Sequence, residues 1–450
     1  MKKTIFAILF GTISLFSVAQ SGYSSASMGM SQSYSQQHQA RIPAPQDVVV
    51  EEYLNYHRHK LPMPTGDKNV GIDASWSNLN GATFLQIGFT THRLGEENYY
   101  KPVNICLVID RSGSMSGEKI EKTKLAMAVF VRKLRPQDRI SIVEFDTEAD
   151  VILPATSAND LGKILAAIDK IQVRGGTDLD KGILLGYKEL VKNVSEKYVN
   201  RLVILTDALT NSGELNPAQI VQHSDVYREE YDIDFALIGV GVDFNNELSR
   251  KLTEKDRCQI HFIHDAAQIE KVFNEEAEAL LSSVAKEIEM EITIPDEIEI
   301  EKVYGYSPII QGNTLHFTLK NMNAGLTQIF LFKIKEKQAQ SQAIALKVTY
   351  FDLQKNAKEV ENKAVFFPAE RKFKSPVQEI EKNIVIAEMA VALQEMAVLY
   401  EKKEAKAAKK GISEALAASK EVKMWQADED IKRMQAILEK YGEELEMALK

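Results

Sequence analysis

Between Val103 and Ser283, short apolar runs alternate with segments of helical periodicity, and this alternation restricts the fold more than any other feature of the chain. The runs Val103–Ile109, Arg139–Phe145, Val151–Leu153, Arg201–Thr206, Ile233–Val240 and Gln259–Ile263 read as strands. Helices are predicted between them over Lys119–Leu134, Asn159–Ile171, Asp180–Val194, Asn216–Glu229 and Asn246–Glu254, with a closing helix over Ala266–Ser283. Unbroken apolar stretches such as Leu202–Leu205 and Phe235–Ile238 suit strands buried on both faces. The expected class is α/β: a doubly wound, mostly parallel, six-stranded sheet with helices on both sides.

The flanks follow a different period. Residues 47–102 hold a short helix marked by Val50, Tyr53 and Leu54, then strands at Val70–Ser75, Ala82–Thr90 and Tyr99–Asn104. Residues 286–371 alternate strictly over Glu287–Ile294 and Thr314–Leu319, and again over Gln328–Ile334 and Ala343–Tyr350. Period two means one buried and one wet face, hence a sandwich. Three strands cannot close a sandwich, so 47–102 and 286–371 are expected to form one β-rich domain, with 103–285 inserted into it. Residues 376–450 read as helical: Ile380, Ile384, Ala387 and Val391 mark one apolar face, and Ile431, Met434, Leu438, Tyr441, Leu445 and Ala448 another. Gly411 and Ser419–Glu421 are expected to separate those helices. They form a small bundle packed on itself or on the β-domain, or alternatively a helical partner-binding or self-associating surface.

Residues 1–19 have the form of a secretory signal: Lys2 and Lys3, an apolar core from Thr4 to Phe16, and Ser17-Val18-Ala19 before the cleavage point. Residues 20–46 are rich in Ser and Gln and read as a disordered spacer. No later run is read as long and apolar enough to span a bilayer. The chain is therefore expected to be exported, whether periplasmic, cell-surface or secreted. Its formal charge of −9 argues against nucleic acid as partner. Cys106 lies in a central strand and Cys258 begins a peripheral one, which favours buried thiols over a disulfide.

The first strand of the alternating region runs into Asp110-Arg-Ser112-Gly-Ser114-Met-Ser116-Gly117, and a helix follows at once. Loops at the carboxyl ends of parallel strands are where such sheets place ligands. One carboxylate and two hydroxyls, without Cys or His, suit a hard divalent ion. Two more loops at the same sheet edge carry oxygen donors: Thr177 in Arg174-Gly-Gly-Thr-Asp178, and Asp207 in Leu205-Thr-Asp-Ala208. Asp110, Ser112, Ser114, Thr177 and Asp207 together offer two carboxylates and three hydroxyls to one ion. The bland alternative is an ordinary polar turn with Ser116 near the helix cap.

With these three loops, 63 residues from Ser114 to Thr177 and 30 from Thr177 to Asp207, the chain resembles the von Willebrand factor type A domain with its metal-ion-dependent adhesion site. The resemblance covers about 103–283. The flanks Asp47-Val-Val-Val-Glu-Glu-Tyr-Leu-Asn-Tyr56 and Leu319-Lys-Asn-Met-Asn-Ala-Gly-Leu-Thr327 resemble exported bacterial proteins of this class. Family members commonly have Gly where this chain has Ala208. The resemblance implies that Ser112 and Ser114 touch the metal, Thr177 does so directly or through water, and Asp110 and Asp207 act largely through water. It also implies Mg²⁺, with Mn²⁺ or Ca²⁺ as alternatives, and a protein ligand whose Asp or Glu completes the coordination.

Catalytic signatures are missing from the sequence. Gly113–Gly117 places Met115 where a nucleophile elbow needs serine. His261 and His264 point to opposite faces of a strand, and His57 and His59 sit in a polar segment read as solvated. The expected function is therefore a non-enzymatic, exported binding protein. Two rivals remain: a cell-envelope assembly protein acting through the β-domain and C-terminal helices, and a metal-dependent hydrolase with Asp110 or Asp207 as base.

Overall fold

In a computed structural model of the protein, described at residues 42–45, 48–55, 59–92, 101–207, 212–240, 252, 258–263, 283–319, 321–336, 343–366 and 377–450, the chain forms three sheets and a helical layer. Helix α1 (Val50–Leu54) precedes a hairpin of β1 (Val70–Leu79) and β2 (Ala82–Thr91). The hairpin turns on Asn80 and Gly81, at φ 53° and 82°, a left-handed pair that matches the twist of its strands.

The α/β segment runs β3 (Val103–Asp110), α2 (Glu118–Val131), β4 (Arg139–Phe145), β5 (Ala149–Ser157), α3 (Leu161–Asp169), α4 (Leu179–Val191), β6 (Val199–Thr206), α5 (Pro217–Tyr231), β7 (Ile233–Val240) and β8 (Cys258–Ile263). Its sheet has the order β5-β4-β3-β6-β7-β8. All pairs are parallel except β4 with β5, which a short loop joins into an antiparallel hairpin. The edge strand is therefore longer than the Val151–Leu153 expected from its apolar residues.

Strand period two sorts the core onto two faces. Ile105, Leu107 and Ile109 pack with Ile120, Met127 and Phe130 of α2 and Ile164 and Ile168 of α3. Cys106 and Val108 pack with Leu179, Ile183 and Tyr187 of α4 and Ile220 of α5. Cys106 is a buried thiol. The helix predicted over 246–254 falls outside the described residues except for Leu252, and the one over 266–283 falls outside except for Ser283, which begins a strand.

The second half of the chain adds β9 (Ser283–Thr293), β10 (Ile298–Tyr304), β11 (Ile309–Gln311), β12 (Thr314–Leu319), β13 (Met322–Asn323), β14 (Thr327–Glu336), β15 (Ala343–Asp352) and β16 (Ala357–Phe366). Two sheets result, β1-β2-β14-β10 and β11-β12-β9-β15-β16, with β13 alongside β9. They enclose one core containing Leu85, Ile87, Phe89, Met290, Phe317, Phe330 and Val348. Strand β2 pairs with β14 from Thr90↔Thr327 to Thr83↔Ile334, so strands from either side of the α/β segment share one sheet of the sandwich.

Helix α6 (Val377–Glu401) covers that sheet's outer face, and α7 (Ala405–Glu421) and α8 (Glu429–Ala448) pack on α6. Ile380, Ile384 and Ala387 meet Phe84, Ile329 and Leu331, while Met389, Leu393 and Met396 join Val50 and Tyr53 of α1 and the other two helices. Three expectations need correction here. Gly411 lies inside α7: one break falls at Lys402–Glu404, where Lys403 is left-handed at φ 66°, and the other follows Glu421, at the end of the expected Ser419–Glu421 stretch. A single glycine costs a helix only about 1 kcal/mol, which Ala-rich neighbours and packing offset. Glu379–Glu401 is, by length and composition, apolar enough to cross a bilayer, contrary to the reading that no run beyond residue 19 is. In this fold the segment is a core helix with apolar neighbours on several sides. His59 also departs from expectation: it is buried, its Nε2 lies 3.2 Å from Asn55 Oδ1 and its N–H donates to Thr327 Oγ1 at 2.9 Å. One of those partners, Thr327, lies on a strand far along the sequence.

Candidate metal-binding site

Between β3 and β6 the strand order reverses, with β4 to one side and β7 to the other, and the loops beyond their carboxyl ends diverge. Ile109 pairs with Leu205, which sets Asp110 beside Thr206 and Asp207. Asp110 is fully buried. Its Oδ1 accepts from the Ser112 N–H at 2.8 Å and its Oδ2 from the Thr206 hydroxyl at 2.5 Å. Burial pushes its carboxyl up to about 6, against those hydrogen bonds and with a smaller push from Asp207.

Ser112 Oγ and Ser114 Oγ lie 3.0 Å apart on the single turn that follows β3. The second loop is tied to this turn through the backbone. The Gly113 N–H donates to the Gly175 carbonyl at 3.2 Å, and the Arg174 N–H to the Arg111 carbonyl at 2.7 Å. Gly175 adopts φ +72°, and a Cβ there would lie 3.1 Å from Asp146 Oδ1. Thr177 is buried at the entry to α4, where Asp178 caps the helix by accepting from the Lys181 N–H at 3.1 Å. Asp207 is buried with its Oδ2 3.5 Å from Lys119 Nζ, whose side chain is 32% exposed. The helix after the first loop is capped by Gly117 at φ 75°, and Ser116 is exposed.

Three residues outside the predicted set shape the site. Thr206 orients Asp110, and Lys119 supplies a cation beside Asp207. Arg111, buried behind the turn, bonds Glu144, Asp146 (Nε to Oδ2, 2.7 Å) and Asp150. Burial raises Asp146, but the Glu148 N–H and the Arg174 and Arg111 guanidiniums bring it down to about 2. A hydroxyl residue just before the strand-end Asp207, and a cation between Asp110 and Ser112, were the signals available for Thr206 and Arg111.

The donor set can be tested against a metal. Octahedral Mg²⁺ with bonds of about 2.0–2.1 Å separates adjacent ligand oxygens by about 3.0 Å. The Ser112–Ser114 hydroxyl pair has that spacing. The donors offered here are hydroxyl and carboxylate oxygens, which suit a hard ion rather than a soft one. A hard cation held by two hydroxyls, with carboxylates behind them, fits these residues.

A family model for the von Willebrand factor type A domain matches residues 104–275. The chain is 32% identical over 238 residues to mouse inter-alpha-trypsin inhibitor heavy chain 4, a match covering 49% of this chain and 25% of that one. It is 27% identical over 303 residues to the uncharacterised protein YfbK of Escherichia coli (strain K12), covering 64% of this chain and 52% of that one. The chain thus spans about a quarter and about half of the length of these relatives. Among solved structures, a von Willebrand factor type A protein from Catenulispora acidiphila superposes with a TM-score of 0.57, over 82% of this chain and 89% of that one. At 15% identity, that likeness is one of fold. Family model and fold agree: this chain contains a von Willebrand factor type A domain, matched over residues 104–275.

Proposed function

We propose that the inserted domain captures a protein ligand through a divalent cation, most simply Mg²⁺, held by Ser112 and Ser114 with Thr177, Asp110 and Asp207. The observation that carries this reading is the 3.0 Å spacing of two hydroxyls beside a buried carboxylate. When bound, the ion would supply positive charge that the two acids do not fully neutralise, and an Asp or Glu of the partner would complete its coordination. The chain's own residues do the positioning. Thr206 and the Ser112 N–H fix Asp110, Arg111 braces the turn from behind, and the Gly113–Gly175 hydrogen bond holds Thr177's loop in place. Lys119 neutralises Asp207. We read the protein as a binding module rather than an enzyme. We also read it as exported by residues 1–19, with 47–102 and 286–371 as the carrier of the 103–285 insert.

The test is thermal unfolding and partner capture in Mg²⁺ against EDTA. Magnesium at a hundred times its Kd is expected to add about 2.7 kcal/mol of stability. Asp110→Ala abolishes that gain and partner capture while keeping the circular dichroism of the native chain. Capture that continues unchanged in EDTA would overturn the reading.

A further inference from the structure

At the other end of the parallel sheet from Asp110, a cleft of about 510 Å³ lies between the inserted domain and the sandwich. One wall carries Val199, Asn200 and Asp234 from the starts of β6 and β7, with Tyr198 and Tyr231. The other carries Lys286, Asn321 and Phe351. Lys101 lies on the connection leading into the insert.

Two features of the cleft call for a ligand. Lys101 Nζ donates to the neutral Asn356 Oδ1 at 2.7 Å and stands 5.8 Å from the Phe351 ring centroid, and it pairs with no carboxylate among the described residues. Burial and the neighbouring Lys286 lower its pKa, against a smaller opposite effect of Glu196 and Asp232. Lys286, by contrast, is countered by Asp232 at 2.6 Å. Asn321 is only 5% exposed; its Nδ2 donates to Asp234 Oδ2 at 3.0 Å, and its Oδ1 accepts no hydrogen bond among the described residues. Asp234 is itself countered by buried Arg201 at 3.0 Å. The cleft thus holds a cation that closes no ion pair among the described residues and a buried acceptor that lacks a donor. An orphaned buried acceptor carries a desolvation cost that a bound N–H removes.

We propose that this cleft is a second binding site, for a small zwitterion of the amino-acid or short-peptide class. Its carboxylate pairs with Lys101, its ammonium donates to Asn321 Oδ1, and its side chain lies against Phe351, Tyr198 and Tyr231. Both charges are required by the lining. A simple anion meets Glu196, Glu230, Asp232 and Asp234, and a simple cation meets Lys101 and Lys286. The volume falls within the range of about 300–1,000 Å³ usual for small-ligand pockets, which favour domain interfaces.

Calorimetric titration and thermal unfolding of the full chain with free amino acids and glycine dipeptides test this. Each probe is run beside its N-acetyl and methyl-ester forms, which each lack one charge. At least one free probe is expected to titrate and raise Tm, with both capped forms binding at least tenfold more weakly. Lys101→Met and Asn321→Leu are each expected to weaken that probe at least tenfold, with the Mg²⁺ response at the other end of the sheet unchanged. Lys101 is partly exposed, so its variant decides the matter even where Asn321→Leu fails to fold. The proposal is overturned if no free probe binds, if a capped form binds as well as its parent, or if Lys101→Met binds like the wild type.

Discussion

A carboxylate withdrawn from water at a strand end is costly unless hydrogen bonds or charge compensate it. Asp110 has two hydrogen bonds, from Ser112 and Thr206, yet burial still pushes it up to about 6. In the metal-free protein this favours the protonated acid. Asp110 therefore contributes stability that is fully present below its ordinary value near 3.8 and is lost as pH rises through about 6. At about 1.36 kcal/mol per pKa unit, the loss is of order 3 kcal/mol. On the proposed function, Asp110 would have to give up that proton to face a divalent ion, so the ion's stabilising effect would grow over the same interval. The Tm gain from Mg²⁺ is expected to be large at pH 7.5 and to shrink steadily below pH 6. A gain that stays constant down to pH 5 would mean that Asp110 does not face the ion. Asp110→Asn should flatten the pH profile of the metal-free chain.

At the scale of elements, the position of α4 decides whether Thr177 reaches the first loop. Glycines stand where the helix crosses the sheet and leave no room for a side chain there. A Cβ at Gly186 would come within 2.4 Å of Val108 Cγ2 and 2.8 Å of Leu202 Cδ1, and one at Gly182 within 2.6 Å of the Phe145 ring. Those neighbours are core side chains and a ring, with little room to yield. Gly186→Val should therefore lift α4 and its N-terminal loop away from β3. Overpacking of this kind costs about 1–3 kcal/mol. Chemical denaturation should register that loss, and Mg²⁺ titration should register weaker binding as Thr177 moves from Ser112 and Ser114. Undiminished Mg²⁺ affinity in a destabilised variant would show that α4 does not set the site.

At the scale of the whole molecule, the inserted domain rests on a sandwich whose own outer face is covered by the C-terminal helices. Phe84, Ile329 and Leu331 of sheet β1-β2-β14-β10 are buried beneath α6. Large apolar side chains lose about 1.5–3 kcal/mol each when re-exposed. A chain ending at residue 376 should bind a hydrophobic dye and unfold at a lower temperature, while its α/β domain keeps its Mg²⁺ response. Equal dye binding and equal Tm in the shortened chain would refute a packing role for the helices.

Sequence alone determined the architecture wherever residue type and period leave one physical solution. Apolar runs alternating with amphipathic segments require a sheet covered on both sides, and strict period-two stretches require a two-faced sheet. The Asp110–Ser114 stretch lies within one turn, so its members are neighbours whatever the rest of the chain does. What joins that turn to Thr206 is a hydrogen bond across 96 residues of sequence, set by strand register. The burial of His59 against Thr327 spans 268 residues, and the orphaned acceptor of Asn321 arises only where two domains meet. Gly411 shows the same division: its residue type suggests a break, and packing of α7 overrides a penalty of about 1 kcal/mol. Local chemistry is written in adjacent residues; burial, register and the facing of distant loops are sums over the whole fold, and only the tertiary structure decides them.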